Sequence, residues 1–373
     1  MKLCYVTRKT FYPDSVGGAQ LSNMYLFKEL QSQGWEIEVL CASSIKKIFS
    51  NWLSKKDSLK FQDNYPVTIG YELGFKTIRR WQSRPLPGAL SRVMTRNWDN
   101  WVVAYVKKTG ADVVLTDHVA TSEYLSVLMK AGIGCIKCIR QLPIIGMPSV
   151  VDPKLQMIGN SPYSAQVARA TIGRDVEIVR PFINKDDYTA PNHEPRFITF
   201  VNPNYQKGIR VAVEVARSMP EQDFLIIKGK WSGFSQAYID KLTKPFLDLE
   251  NVTVWEHQKD MREVYAVTKV LLVPSLFIET FGRVIIEAQY NGIPVVGSDS
   301  GGIPYTIGTG GLVASPKNEA APYVSAINQI LENEETYRAY SVAAKSHANQ
   351  PEFDPSFQVS TFLKVVEASL AAV

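Results

Sequence analysis

Residues 273–288 read Val273-Pro274-Ser275-Leu276-Phe277-Ile278-Glu279-Thr280-Phe281-Gly282-Arg283-Val284-Ile285-Ile286-Glu287-Ala288, and Pro294–Gly297 follow shortly after. The apolar run Val270–Val273 predicts a strand that stops at Pro274. Beyond the loop carrying Glu279, apolar residues fall at helical spacing over Phe281–Tyr290, and Pro294–Gly297 predict the next strand. A strand, a crossover helix and a strand are the repeating unit of a parallel sheet, whose two faces must both be covered by helices.

The same texture runs outward in both directions. C-terminally a helical tail covers Glu319 to the end, and N-terminally Phe197–Val201, Phe224–Ile227 and Val252–Trp255 predict strands. Helices over Gly208–Met219 and Ser235–Leu249 separate them. Earlier strands fall at Leu3–Thr7, Glu36–Cys41, Val67–Tyr71, Asp112–Thr116, Gly134–Ile139 and Gln156–Gly159. Helices follow Gly18 and cover Leu90–Lys108 and Thr121–Ala131, the first ending at Gly34. Asn184–Pro195 is polar and without period, which reads as a linker. The expected organisation is α/β with two Rossmann-like domains facing a central cleft, residues 1–183 and 196–373 joined by 184–195. No fixed-period repeat points to a solenoid.

Composition agrees. The 373 residues suit two domains on the prior of roughly 100–200 residues each. With 45% apolar and 21% charged residues, disordered and low-complexity classes are excluded. Four cysteines are too few for a disulfide framework, so Cys135 and Cys138 are expected in the core rather than on zinc. A charge comes too early at Lys2, Arg8 and Lys9 for a signal peptide, and no run reaches the roughly 18 apolar residues of a membrane span. The expected setting is cytoplasmic.

Charge is uneven. Residues 1–185 hold 25 Lys+Arg against 14 Asp+Glu, a net +11, whereas 186–373 hold 16 against 22, a net −6. Residues 45–108 alone hold 13 against 4, a net +9. Ile45–Lys56 interleaves Lys46, Lys47, Lys55 and Lys56 with Ile48, Phe49, Trp52 and Leu53, a basic amphipathic helix pattern to which Arg79, Arg80, Trp81 and Arg84 add. It reads either as a helix over its own domain or as contact with an anionic partner, a membrane surface at the inner face of the cell membrane or a phosphate-bearing molecule. No nucleic-acid motif is present.

The start of a helix suits phosphate because its N–H groups are unpaired and lie at the positive end. Gly282 admits a ligand close to the backbone there. Glu287 lies two turns on, within an apolar helix face, where a carboxylate needs partners; a vicinal diol such as ribose would supply two. The bland alternative is a helix start with one ion-paired glutamate.

Glu279 and Glu287 at this spacing, preceded by Pro274-Ser275 and followed by Gly292-Ile293-Pro294-Val295-Val296 and Gly301-Gly302-Ile303-Pro304, resemble the donor-site signature of family-4 glycosyltransferases of the GT-B fold. Gly17-Gly18-Ala19 resembles that family's N-terminal glycine loop. Asn160–Ser164, Gly173, Val179–Ile183, Phe200-Val201 and Lys207-Gly208 match its other landmarks in order, so the resemblance covers nearly the whole chain.

The resemblance implies a retaining transferase that moves sugar from a nucleoside-diphosphate sugar, of UDP or GDP type, to a hydroxyl acceptor. It implies no tightly bound cofactor and no metal, and a C-terminal helix that packs back on the N-terminal domain. Glu279 would face the transferred sugar and Glu287 the donor ribose. Gly17, Gly18, Lys207, Gly208, Thr280, Phe281, Gly282 and Arg283 would line the donor, with Lys207 neutralising the diphosphate. His118, at the end of the strand closing on Asp117, would lie near acceptor and transferred sugar.

Two departures stand out. The arginine the family carries shortly before Lys207 is absent from Val201–Gln206, and Tyr305 stands where members commonly carry glutamate. Arg283 would replace the lost charge, or be a surface helix residue. Other classes remain open: a sugar-nucleotide epimerase of the same architecture, a transferase with a soluble small-molecule acceptor, or a non-catalytic sugar-nucleotide-binding protein. A nicotinamide dehydrogenase is disfavoured because neither half opens with G-x-G-x-x-G.

Overall fold

The computed structural model describes residues 1–11, 14, 17–54, 57–62, 65–71, 73–82, 89–117, 123–140, 142, 152–229 and 235–373, with the side chains of all but 89–95. His118, Lys55, Lys56 and Arg84 lie outside the described residues. The chain divides into two compact units, one of residues 1–160, 164–179 and 358–373, the other of 161–163 and 180–357.

The first unit runs β1 (Lys2–Thr7), α1 (Gly18–Ser32), β2 (Glu36–Ser43), α2 (Ile45–Leu53), β3 (Ser58–Gln62), β4 (Tyr65–Gly70), β5 (Lys76–Trp81), α3 (Ala89–Thr109), β6 (Val113–Thr116), α4 (Glu123–Met129), β7 (Gly134–Ile139), β8 (Gln156–Gly159), α5 (Pro162–Ile172) and β9 (Glu177–Ile178). Its sheet has the order β3-β4-β5-β2-β1-β6-β7-β8-β9. The β3–β4–β5 meander is antiparallel and the rest parallel. Leu3–Thr7 are all buried, as a strand covered on both faces requires.

The second unit runs β10 (Phe197–Val201), α6 (Ile209–Ser218), β11 (Phe224–Ile227), α7 (Gln236–Leu247), β12 (Val252–Trp255), α8 (Met261–Val267), β13 (Thr268–Val273), α9 (Arg283–Gln289), β14 (Val295–Ser298), α10 (Ile303–Ile307), β15 (Gly311–Ala314), α11 (Ala321–Ile330) and α12 (Glu334–Ala348), and the chain ends in α13 (Pro355–Ala371). Its six strands, in the order β12-β11-β10-β13-β14-β15, are all parallel. Phe200, Val215, Phe246, Leu272 and Tyr323 pack on one face, and Leu271, Ile285, Ile286 and Ile303 on the other.

The boundaries differ from a simple split at a linker. Residues 184–195 belong to the second unit, where Ala190 N–H donates to Asn291 Oδ1 (2.7 Å). From Gln358 onward α13 belongs to the first unit, the return of the C-terminal helix that the resemblance implies. A Cβ on Gly134 of β7 would fall 2.6 Å from Ser369 Oγ, so the tail packs directly against that sheet.

One expectation about charge is corrected. Arg79 and Arg80 do not belong to a basic surface: they lie on β5, which the sequence pattern did not reveal, and are 0% and 3% exposed. Arg79 pairs with Asp14 (2.9 Å) and Asp57 (3.2 Å), while Arg80 lies 4.0 Å over the Tyr65 ring and 5.2 Å from that of Trp101. Buried guanidinium groups survive only when paired or stacked in this way. The α2 pattern does stand at the surface: Ile48 and Asn51 turn inward, while Ile45, Phe49, Trp52 and Leu53 are exposed with Lys46 beside them. Among the described residues no helix is long and apolar enough to cross a membrane.

Candidate functional site

The residues with a chemical signature gather on three loops at the C-terminal ends of β10, β13 and β14, adjacent strands of the second sheet. That edge is where open parallel sheets bind ligands. Pro274 ends β13, and the chain then runs to Gly282 (φ 86°) before α9 begins. After β10, the Lys207 N–H donates to Asn204 Oδ1 (3.0 Å) and Gly208 takes φ 79°. A Cβ on Gly208 would fall 1.8 Å from the Pro274 carbonyl oxygen, so only glycine lets the two loops touch. The N–H groups of Leu276 (2.9 Å) and Phe277 (3.0 Å) then both donate to the Gln206 carbonyl.

The third loop closes on the second. Gly302 N–H donates to the Glu279 carbonyl (2.7 Å), Ser298 Oγ to that of Ser275 (2.8 Å) and Ser300 Oγ to that of Phe277 (2.7 Å). A Cβ on Gly302 would lie 2.2 Å from the Thr280 carbonyl oxygen. This lacing sets the position of Glu279, whose Oε1 meets the Lys207 ammonium and accepts from Ser275 Oγ (2.9 Å). Lys207 is 30% exposed at its side chain and Glu279 14%, so the pair is within reach of a ligand.

Glu287 is buried, 5% exposed, on α9. Tyr265 OH donates to its Oε2 (2.9 Å) and Arg283 Nε lies 3.3 Å from its Oε1. Burial pushes its carboxyl above the ordinary range, and the Arg283 charge and the two donors oppose that. Arg283 Nη1 also donates to the Phe182 carbonyl (2.8 Å) and Nη2 to Tyr188 OH (3.1 Å).

Of the residues expected at the donor, Lys207, Gly208, Glu279, Thr280, Phe281, Gly282, Arg283 and Glu287 therefore come together in one unit. The Phe281 ring is buried in the core, 6.4 Å from that of Phe353, leaving its backbone, the part expected at the sugar and diphosphate, near the loops. Arg283 is not a surface residue: its guanidinium is turned inward onto Glu287, Phe182 and Tyr188. Gly17 and Gly18 belong to the first unit, at the start of α1, with Gly17 in an extended conformation. His118 lies outside the described residues. Sequence reasoning missed Ser275 as a partner of Glu279, and Tyr265 and Tyr188 around Glu287. Only Ser275 carried a signal, standing next to the strand-ending Pro274. Beside the site, a recess of about 150 Å³ at the ends of β10 and β11 is lined by Pro203, Tyr205, Gly229, Tyr238 and Leu242.

Two α/β units, with a lysine–glutamate pair and a buried glutamate on the loops of the second, have the GT-B fold of solved glycosyltransferases. Residues 183–347 match the family described as Glycosyl transferases group 1. Across 232 residues the chain is 27% identical to the D-inositol 3-phosphate glycosyltransferase of Mycolicibacterium smegmatis, covering 56% of this chain and 52% of that protein. The chain spans about half the length of the curated relatives it matches. Among solved structures, sucrose-phosphate synthase from Thermosynechococcus elongatus matches with a TM-score of 0.74 at 18% identity, over 100% of both chains. Anabaena HepE in complex with UDP-glucose matches with a TM-score of 0.70 at 17% identity, also over 100% of both chains.

Proposed function

We propose that the protein is a retaining glycosyltransferase that moves a sugar from a nucleoside-diphosphate sugar, of UDP or GDP type, to a hydroxyl of a lipid-linked, phosphate-bearing or cell-surface glycan acceptor. The observation that carries this reading is the Lys207–Glu279 pair on laced loops at a sheet edge. Within this pair each charge neutralises the other. An arriving diphosphate competes for Lys207 as a point charge, and Glu279 is then released to accept hydroxyl hydrogen bonds of the transferred sugar. Positive charge already fixed at the departing diphosphate stabilises the transition state without reorganisation, the largest contribution available to such a site. Glu287 accepts the ribose hydroxyls with the lone pairs that Tyr265 and Arg283 leave open.

In this reading the first unit binds the acceptor, His118 serves acceptor and transferred sugar, and Gly17 and Gly18 serve the donor. A phosphate-bearing acceptor is supported by the name of the Mycolicibacterium smegmatis relative, a D-inositol 3-phosphate glycosyltransferase, and by the net +9 over residues 45–108, from which the buried Arg79 and Arg80 are discounted. The exposed α2 face supports peripheral contact with an anionic membrane. The test is incubation of the purified protein with UDP- and GDP-sugars and a panel of hydroxyl acceptors. Free nucleoside diphosphate together with a glycosylated product of unchanged anomeric configuration supports the reading. Isomerised free sugar without acceptor identifies an epimerase, and binding without turnover a non-catalytic binder.

A further inference from the structure

Arg283 stands in the middle of a buried network that donor chemistry alone does not require. Arg283, Glu287 and Asn291 are spaced four residues apart, so they share one side of the helix and its continuation. All three are engaged with the residues 182–190 or with one another. Arg283 reaches the Phe182 carbonyl and the Tyr188 hydroxyl, and Asn291 Nδ2 donates to the carbonyls of Tyr188 (3.0 Å) and Glu287 (3.0 Å). Three partners in three directions demand a planar fork of donors, which lysine lacks.

We propose that Arg283 is a positioning residue for Glu287: anchored on Phe182 and Tyr188, its guanidinium holds the Glu287 carboxylate charged and aimed at the donor ribose. This rests on the reading of Glu287 as the ribose acceptor. A carboxylate offers about four acceptor sites. Tyr265 and Arg283 fill two, and the remaining two match a vicinal diol. The other ionisable groups facing this carboxylate are Tyr265 from α8, Tyr188 from the segment before β10 and Tyr290 from the end of α9, with Asp187 beside Tyr188 and Asp354 beside Tyr290. Each is neutral or anionic. Arg283 is the cation among them, and without it burial alone acts on Glu287.

The test measures binding of UDP-, GDP- and ADP-glucose to the full chain by calorimetry from about pH 5 to pH 8. For the tightest of the three, Arg283→Leu should move upward the pH below which affinity falls. At the acid end it should bind roughly tenfold more weakly than wild type, with the two converging at the alkaline end. Tyr188→Phe, which keeps the ring and removes one anchor, should shift the profile in the same direction by less, and it carries the test should Arg283→Leu fail to fold. A 2′,3′-dideoxyribose analogue of the same donor should bind wild type and variants alike. Superimposable pH profiles for wild type and both variants, with the ribose hydroxyls still contributing to affinity, overturn the positioning role and leave the donor site standing. Equal binding of the dideoxy analogue and its parent by wild type, or no binding of any of the three sugars, overturns the ribose assignment itself.

Discussion

Lys207 and Glu279 are separated by 72 residues in sequence and brought together by a glycine that admits no substitute at the crossing of their loops. Each charge is thereby partly shielded from water, which strengthens an approaching phosphate's hold on the lysine. Charge-assisted hydrogen bonds are worth about 1.5–3 kcal/mol, so Lys207→Ala should weaken nucleoside-diphosphate binding roughly ten- to a hundredfold. Binding of the bare nucleoside should change little, and calorimetry on both ligands separates the two. Equal losses for nucleoside and diphosphate would place the lysine in the scaffold rather than at the phosphates. The glutamates and the lysine were legible in the sequence because each stands in a short local pattern. Tyr188 and Tyr265 were not, since a tyrosine that finds a carboxylate across the fold carries no local signature.

The elements show the same division. Strands such as β7, β8, β11 and β12 were legible with their boundaries because they are short apolar runs between polar turns. β5 was not, since Lys76, Arg79 and Arg80 interrupt any apolar pattern and only Asp14, Asp57 and the Tyr65 ring make their burial tolerable. The short helices α8 and α10 lack the length over which period 3.6 can be recognised. Between α10 and α12 a further constraint emerges: His347 Nε2 donates to the Thr306 carbonyl (3.1 Å), and a Cβ on Gly308 would lie 2.1 Å from its ring. Burial lowers the pKa of this imidazole. Below about pH 6.5 the unfolded chain takes up the proton before the folded one, so stability is present above that pH and lost as pH falls through the folded value. The melting temperature of wild type should drop on acidification, and His347→Gln, which keeps an amide donor, should flatten that slope; an unchanged slope would assign the acid sensitivity elsewhere. For α2, an exposed Phe49–Trp52 pair (6.1 Å between rings) beside Lys46 makes a concrete surface. Phe49→Ser with Trp52→Ser should abolish co-sedimentation with anionic liposomes at low salt, where each lysine contributes on the order of 1 kcal/mol. Recovery of wild type in the supernatant with anionic and neutral vesicles alike would sink the membrane reading.

At the scale of the whole molecule, the chain does not fold as two successive halves. It leaves the first unit near residue 180, completes the second, and returns to the first from Gln358. The periodicity of the tail showed a helix but not its destination, because an apolar helix face does not say which sheet it will cover; only the family resemblance implied the return. The return has an energetic consequence. Val359, Phe362, Val365 and Val366 are 0–4% exposed. At about 1.5–3 kcal/mol for each fully buried side chain, the four together contribute on the order of 6–12 kcal/mol as an upper estimate. That is comparable to the roughly 5–15 kcal/mol by which a domain is stable. Deleting residues 358–373 should therefore unfold or severely weaken the first unit while leaving the three loops of the second intact, since every hydrogen bond that laces them lies within residues 198–306. Calorimetric melting should show the loss or a large downward shift of one transition, and nucleoside-diphosphate binding should persist in the truncated chain. A truncated protein that melts like the full chain would show that the tail adds nothing to the first unit, and loss of nucleotide binding together with the fold would show that the second unit depends on the first.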